Sequence, residues 1–310
     1  MKHILLIMFL AGSISGCTDK HTVQVENAEP HEKPLKIITK ILTAHSLNFI
    51  QDFTWKADLG LYIASEKSGA LYKGNRDYKN IQTEDLSINN KQEWRPMPNV
   101  YLDSEPAAVY AYYPYQRQVD FDATRIPVKI EPDATLTRDY MYGIQATGQK
   151  AVNNLSPLVL LDMNHALSLL SFQLKTSGRR EKDCLLQAIQ IGNKAGKTAL
   201  CFKGEMNIKT GEISGCAGTN ASTRLKLDPP DSLHPEYGNT HSIKVIPSRL
   251  LRRNGDVEIL FVINRKTYEY HVPADTKWKK GHRYLYLLNF DGKKLRLEKA
   301  TNREWLPGEE

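Results

Sequence analysis

Short segments in which apolar and polar residues alternate recur along the chain and constrain its fold more than any other feature. In residues 35–41, Leu35, Ile37 and Ile41 lie on one face, as in a half-buried β-strand. Asp291-Gly292 separates two late segments and is the dipeptide most typical of a tight β-hairpin. Further segments of this kind are residues 59–64, 107–113, 167–175, 185–191, 198–203, 257–264, 267–272, 284–290 and 294–298. The pattern predicts an all-β chain built from β-sandwiches.

The N-terminus has the layout of a secretory signal. A short polar start precedes an apolar run over residues 4–10, which is shorter than the roughly 20 apolar residues needed to span a bilayer. The segment Ile14-Ser15-Gly16-Cys17 resembles a bacterial lipobox, which implies cleavage between Gly16 and Cys17 and acylation of Cys17. Because buried acyl chains contribute about 0.8 kcal/mol per CH₂, we expect a protein without residues 1–16 that is held on a membrane outside the cytoplasm.

The rest of the chain combines a polar tether with enough sequence for two domains. Residues 17–34 are polar and contain two prolines, as expected of a linker between lipid and fold. A composition of 41% hydrophobic and 25% charged residues is that of a globular protein. We expect one domain over residues 35–160 and a second over residues 161–310.

Charge and cysteine content exclude several classes of function. The net charge is +7, but Lys and Arg are interspersed with Asp and Glu, so no basic track follows a phosphate backbone and no nucleic-acid partner is predicted. Cys184, Cys201 and Cys216 have no CxxC spacing and no matching His cluster, so we predict neither a metal site nor a cofactor. In an oxidising envelope they form one disulfide with one thiol left over, or they stay free and buried.

The sequence contains no motif typical of an enzyme active site. A G-x-S-x-G elbow is absent. His165 and Asp162 lie three positions apart in a strand-like segment, on opposite faces of a regular strand, which favours a His hydrogen-bonded at a sheet edge or domain junction over a catalytic pair. Tyr110 and Tyr112 face one side of their strand and Tyr113 the other, which favours core packing over a flat sugar-binding surface. We predict that the protein is not an enzyme.

Residues 109–115 (VYAYYPY) and residues 278–286, with the pattern W-x-x-G-x-x-Y-x-Y, are the most distinctive of five segments that resemble one known family. They resemble the AYYPY signature and the W-x-x-G-x-x-Y-x-Y element of the fimbrillin family, the pilins of Bacteroidales fimbriae. The others, in the order that the family shows, are residues 59–63 for its GLYV strand, residues 139–143 for its DLLYG segment, and residues 161–174 for its F-x-H-x-L-S-x-x-x-F-x-L strand. Trp305 lies where family chains often end. The chain departs from the pattern at Asp162-Met163-Asn164, where the family usually carries Phe.

The resemblance implies two transthyretin-like Greek-key β-sandwich domains in tandem and assembly by donor-strand exchange. In that process a strand of one subunit fills a groove in its neighbour. In stalk subunits of the family, a trypsin-like protease removes the first strand after an Arg and so opens the groove. The counterpart here is the strand whose groove-filling side chains are Leu35, Ile37 and Ile41. Because no Arg precedes Arg76, the candidate sites for a protease of different specificity are Lys36, Lys40 and Lys56.

By this resemblance we expect a surface-exposed lipoprotein of the outer membrane and fimbrium. It polymerises with other fimbrial subunits and adheres to a host or bacterial surface ligand. Stalk, tip and anchor positions stay open, although the missing Arg favours an accessory position. The alternative is a glycan-binding surface lipoprotein of a polysaccharide-uptake system, in which exposed aromatic side chains stack on sugars. Exposure of the four tryptophans discriminates between the two: Trp55, Trp94, Trp278 and Trp305.

Overall fold

The protein is built from β-strands throughout the part that the computed structural model describes, which comprises residues 33–41, 58–72, 78–86, 92–117, 124–177, 184–306 and 309. These ranges contain one 3-10 turn, Ala134–Leu136, so the all-β prediction is confirmed. Lys33–Glu310 form one compact unit. The strands are β1 (Lys36–Ile41), β2 (Gly60–Ser65), β3 (Ile81–Asp85), β4 (Glu93–Met97), β5 (Ala107–Tyr113), β6 (Arg125–Lys129), β7 (Met141–Gln145), β8 (Leu158–His165), β9 (Ser168–Thr176), β10 (Leu185–Asn193), β11 (Lys203–Asn207), β12 (Ile213–Ala217), β13 (Ser222–Ser232), β14 (His241–Val245), β15 (Val257–Ile263), β16 (Lys266–His271), β17 (His282–Phe290) and β18 (Leu295–Glu304).

Seven strands form a closed barrel in the order β1-β4-β3-β2-β5-β7-β8. Strand β1 closes it, because β1 pairs antiparallel with β4 on one side and parallel with β8 on the other. The closure follows from the use of both edges of β1. Inside the barrel lies an apolar core whose members include Leu61, Ile63, Val109, Met141 and Leu161.

Strands β2 and β5 bury both of their faces because they lie between two cores. Leu61 and Ile63 of β2 belong to the barrel core, whereas Tyr62 belongs to the second core. In β5, Tyr113 lies in the barrel core and Tyr112 in the second. The predicted opposite orientation of neighbouring tyrosines is therefore confirmed, and the period of two explains it.

The second core lies between two four-stranded sheets, β13-β10-β15-β16 and β14-β9-β17-β18. Phe172 of β9 and Phe261 of β15 meet edge to face across it, with ring centroids 5.5 Å apart. Trp278 is fully buried in the same cluster. The three-stranded sheet β12-β11-β6 adds Ile126 and Met206. Residues 166–167 join β8 of the barrel to β9, so the chain passes from one core to the other there.

The segments predicted as strands are confirmed except for residues 198–203, where β11 begins only at Lys203. A disulfide joins Cys201 to Cys216, whose Cα atoms are 5.2 Å apart, and Cys184 is free and half-buried. Of the two arrangements that the sequence left open, the structure has the single disulfide with one thiol left over. Within the described ranges, no helix has the length and apolarity needed to cross a lipid bilayer.

Candidate functional site

Strand β1 lies in a groove between β4 and β8. Six consecutive residues pair with β8, from Lys36 opposite Leu158 to Ile41 opposite Met163. The antiparallel contact with β4 is shorter and includes Ile37 opposite Trp94. Backbone hydrogen bonds continue beyond the strand, since the amide of Leu35 donates to the carbonyl of Val100 at 2.8 Å. The first strand thus has hydrogen-bonded neighbours along both of its edges.

The inward side chains of β1 fill the groove. Leu35 and Ile37 are 1% and 0% exposed and belong to the barrel core. Thr39 is also buried, and its hydroxyl accepts a hydrogen bond of 2.9 Å from the indole of Trp94. The side chain of Ile41, the third groove-filling residue expected from the sequence, lies outside the described part of the structure. Two of the three residues therefore have the burial that a groove-filling role requires.

The candidate protease sites differ in their surroundings. The side chain of Lys36 is 63% exposed and that of Lys40 is 45% exposed, and Lys40 forms an ion pair of 3.1 Å with Asp162 of β8. Their backbones, however, lie within the paired part of β1, so β1 must leave its neighbours before a protease can hold either residue in an extended conformation. Lys56, like Gly16 and Cys17 at the expected lipidation site, lies outside the described residues.

Two of the segments that resemble the fimbrillin family meet on the barrel. Gly60 of β2 pairs with Tyr112 of β5, and a Cβ atom at Gly60 would overlap the Tyr112 ring. The phenol of Tyr112 donates to Asn80 Oδ1 at 2.7 Å. Burial raises the pKa of Tyr112, so the ring stays neutral at the pH of any cell surface. Position 60 therefore needs a glycine, because any Cβ atom there would collide with the Tyr112 ring.

His165, at the end of β8, is hydrogen-bonded and buried. Its Nδ1 lies 2.7 Å from Asp139 Oδ2, and its ring stacks on Trp305. Asp139 is the partner that sequence reasoning missed; it precedes β7, and the pairing of Met141 with His165 brings it alongside. Asp162 binds Lys40 instead. His165 and Asp139 are both buried, as expected of a structural contact.

The tryptophans do not form a sugar-stacking surface in the described part of the chain. Trp94, Trp278 and Trp305 are at most 2% exposed. Trp55 lies outside the described residues. The aromatic-stacking mechanism of the glycan-uptake alternative therefore finds no support in these three side chains.

Three side chains able to bind a metal lie together on the outer face of the β15–β16 hairpin. Glu258 pairs across the strands with His271, and Glu269 lies two residues before His271 on the same face. His271 Nδ1 lies 3.9 Å from Glu258 Oε1, and His271 Nε2 lies 3.7 Å from Glu269 Oε2. Lys194 Nζ lies 3.6 Å from the same Glu258 oxygen. The carboxylate of Glu258 already has a cationic partner in Lys194, and we assign no metal to this cluster.

Comparison with known proteins relates this architecture to fimbrial and adhesion proteins. Two solved structures of proteins proposed to act in cell adhesion superpose with a TM-score of 0.62. One is from Bacteroides uniformis, at 15% identity over 88% of this chain and 99% of that one. The other is from Bacteroides ovatus, at 20% identity over 89% of this chain and 98% of that one. A fimbrial protein of Bacteroides vulgatus has a TM-score of 0.57 and 14% identity over 88% and 99%. At these identities the likeness concerns the fold.

Sequence comparison identifies the family. No curated protein sequence matches the chain significantly. The family model described as fimbrillin-like matches residues 49–305, which is most of the chain and includes the AYYPY segment, His165 and Trp305. The protein therefore belongs to the fimbrillin-like family.

Proposed function

We propose that this protein is a structural and adhesive subunit of a cell-surface fimbria, exported as a lipoprotein acylated at Cys17 and assembled by donor-strand exchange. The observation that carries the proposal is the position of β1, which is the first strand of the fold and pairs with both β4 and β8. Its relatives by fold include a fimbrial protein. Its partners would be other fimbrial subunits and, before assembly, the outer membrane.

Loss of β1 would leave a groove that favours a replacement strand. Val159, Leu161 and Met163 of β8 and Trp94 of β4 are buried while β1 is in place. Exposing such side chains costs about 1.5–3 kcal/mol each, and each unmade backbone hydrogen bond about 1 kcal/mol more. A strand from a neighbouring subunit with apolar residues at alternate positions would restore both contributions.

The tandem-domain architecture belongs to the same proposal. We propose two transthyretin-like Greek-key domains, residues 35–160 and 161–310; the barrel strand β8 (Leu158–His165) spans the boundary between them. Support comes from the two apolar cores, which β2 and β5 separate. In this arrangement the exchanged strand belongs to the first domain, and the second domain keeps its strands.

The position of the cut decides the position of the subunit in the filament. Lys36 and Lys40 lie inside the paired strand, whereas Lys56 lies after it in sequence, so cleavage after Lys56 would release β1 whole. A subunit cut there would polymerise in the stalk or at the tip. A subunit that keeps Cys17 and β1 would anchor the filament.

The test is the intact mass and N-terminal sequence of the protein from two fractions of its native host, sheared filaments and washed outer membrane. We expect a filament form that begins after Lys56, or an acylated Cys17 form that co-purifies with filaments. Lys56→Gln should abolish the truncated form, and Lys67→Gln, an exposed lysine after β2, should not. An acylated form found in membranes that yield no filaments would contradict the proposal.

A further inference from the structure

A cleft of about 450 Å³ opens on the outer face of the sheet β13-β10-β15-β16, away from β1 and its groove. Leu227 of β13 and Val262 of β15, both half-buried, supply its apolar surface. Arg224, Arg265 and Gln187 supply polar groups. The volume lies within the range of pockets that hold small ligands, and this mixture of apolar surface and a few polar groups is typical of them.

An irregularity in strand pairing creates the cleft. The pairing of β10 with β13 passes from Leu186 opposite Asp231 directly to Ala188 opposite Lys226. Residues 227–230 of β13 therefore face the single residue Gln187, and the pairing of β10 with β15 shifts at the same point. Such bulges redirect side chains and interrupt the ladder, which here separates β13 from β10 and leaves the space open.

The charge in the cleft is positive and largely uncompensated. Three cations, Arg224, Lys226 and Arg265, line it with one carboxylate, Asp228. Asp228 lies 4.0 Å from Lys226, and both are exposed. Neither the Arg224 nor the Arg265 guanidinium forms a hydrogen bond or ion pair with any residue in the described part of the chain. Two planar donors of this kind, near an apolar surface, suit a carboxylate.

Arg265 is held in place by its backbone. It has a left-handed conformation, with φ of 63°, in the turn between β15 and β16, and its amide donates to Gln187 Oε1 at 2.6 Å. This bond ties the turn to the bulged residue of β10. The amide nitrogen of Gln187 keeps its donor capacity, since it makes no hydrogen bond with any described residue. The backbone around the cleft is therefore fixed before a ligand arrives.

We propose that this cleft binds a carboxylated sugar residue of a surface glycan. The guanidinium groups of Arg224 and Arg265 would bind the carboxylate. The Gln187 amide would donate a hydrogen bond to a hydroxyl, and Leu227 and Val262 would pack against the apolar C–H face of the ring. An acidic peptide side chain offers the carboxylate but neither the hydroxyl nor the apolar ring face, so the three features together favour the sugar. The inference deepens the proposed adhesive function by naming a ligand class, and it rests on that function for surface exposure.

The test is a calorimetric titration of the detergent-solubilised full chain with sodium D-glucuronate. D-glucose is the matched neutral sugar, and an N-acetylated, C-amidated Gly-Glu-Gly peptide is the matched carboxylate without a sugar ring. We expect binding of glucuronate that is at least roughly tenfold tighter than that of either control, because charge-assisted and ring contacts are made together. Affinity should fall as salt is raised from 50 to 500 mM, since both guanidinium groups are exposed.

Variants locate the binding in the cleft. R224Q/R265Q should weaken glucuronate binding roughly tenfold or more, whereas R252Q, which removes an exposed positive charge outside the cleft, should leave it unchanged. Urea unfolding midpoints equal to wild type establish that the variants fold. Equal affinity for glucose, equal or tighter binding of the peptide, or unchanged binding by R224Q/R265Q would each overturn the inference. Because this assay requires no filament, its outcome is separate from that of the filament experiment.

Discussion

The imidazole of His165 stacks on the indole of Trp305, with ring centroids 3.9 Å apart and planes inclined by 7°. His165 ends the last strand of the barrel, and Trp305 follows the last strand of the second core. The amide of Trp305 also donates to the carbonyl of Gly281 at 2.8 Å. The stack therefore packs the segment that follows β18 against the end of β8, where the chain passes from the barrel to the second core.

Removal of the indole should destabilise the whole fold. Trp305 is 2% exposed, so Trp305→Ala leaves a large cavity and should lower the free energy of unfolding by about 3–5 kcal/mol. Trp305→Phe is the matched control: Trp305 Nε1 makes no hydrogen bond within the described structure, and a phenyl ring keeps the stacking face. Urea unfolding of both variants measures the difference. A loss below about 1 kcal/mol for the alanine variant would contradict a stabilising role for this stack.

The contact between Gly60 and Tyr112 should be intolerant of a single methyl group. Gly60→Ala places a Cβ where the Tyr112 ring lies, and overpacking of this kind costs about 1–3 kcal/mol. Gly238→Ala is the control, because its Cβ would meet nothing within 4 Å and its φ is not in the left-handed region. Thermal unfolding of the two variants should differ by several degrees. Equal melting temperatures would mean that the ring moves aside at no cost.

Local alternation predicted the part of the fold that local geometry determines. In β5, a period of two is enough to assign Tyr112 and Tyr113 to opposite faces. Strand β13 was not predicted: Leu225 and Leu227 alternate with Arg224 and Lys226 at its start, but Pro229 and Pro230, which are unfavourable in a strand, follow them. Closure of the barrel depends on the parallel pairing of β1 with β8, to which neither strand's own sequence points.

The candidate sites show the same limit. Leu35 and Ile37 were predictable as groove-filling residues because they share one face of a short alternating segment. Asp139 was not, since only the pairing of β7 with β8 brings it to His165. The cleft that contains Arg224 and Arg265 depends on a bulge in two neighbouring pairings, and the sequence has no pattern for that.

A charged side chain on the inward face of β1 should destabilise the pairing of β1 with β4 and β8. Ile37 is fully buried, so Ile37→Asp should lower the free energy of unfolding by about 4 kcal/mol or more, or expel β1 from its groove. Ile38→Asp is the control on the opposite face, where the side chain is only half-buried. Hydrogen exchange of β1 and β8 amides, together with urea unfolding, measures both effects. Equal results for the two variants would remove β1 from the core.

The disulfide should stabilise the second core independently of the strand-exchange groove. Cys201 and Cys216 close a loop of 15 residues, for which restriction of the unfolded chain contributes about 3 kcal/mol. The double variant Cys201→Ser/Cys216→Ser should lose about that amount, as should wild type in excess reductant. Cys184→Ser, which replaces the free thiol, should not show this loss of stability. If the double variant unfolded at the wild-type urea concentration, the bond would have no role in stability.

Glu298 should make the attachment of β18 sensitive to acid. Its carboxylate lies 2.7 Å from Lys175 Nζ of β9, and it accepts hydrogen bonds from Tyr237 Oη at 2.6 Å and Asn289 Nδ2 at 2.9 Å. The bond from Lys175 and then that from Tyr237 hold the pKa of Glu298 below its usual value of 4.5. Because the folded state favours the ionised carboxylate, this contribution is present above that value and is lost as pH falls through the folded pKa.

The difference in unfolding midpoint between wild type and Glu298→Gln measures this contribution, because the side chain at position 298 titrates in wild type and does not in the variant. We expect wild type to be the more stable at pH 7 and the difference to shrink as pH falls below about 4.5. Glu304→Gln, on the same strand, is the control for the loss of one carboxylate, because no residue in the described part of the chain pairs with the Glu304 carboxylate. At pH 7 its unfolding midpoint should lie closer to wild type than that of Glu298→Gln. A Glu298→Gln difference that did not change between pH 7 and pH 3 would show that the carboxylate does not hold β18 in solution.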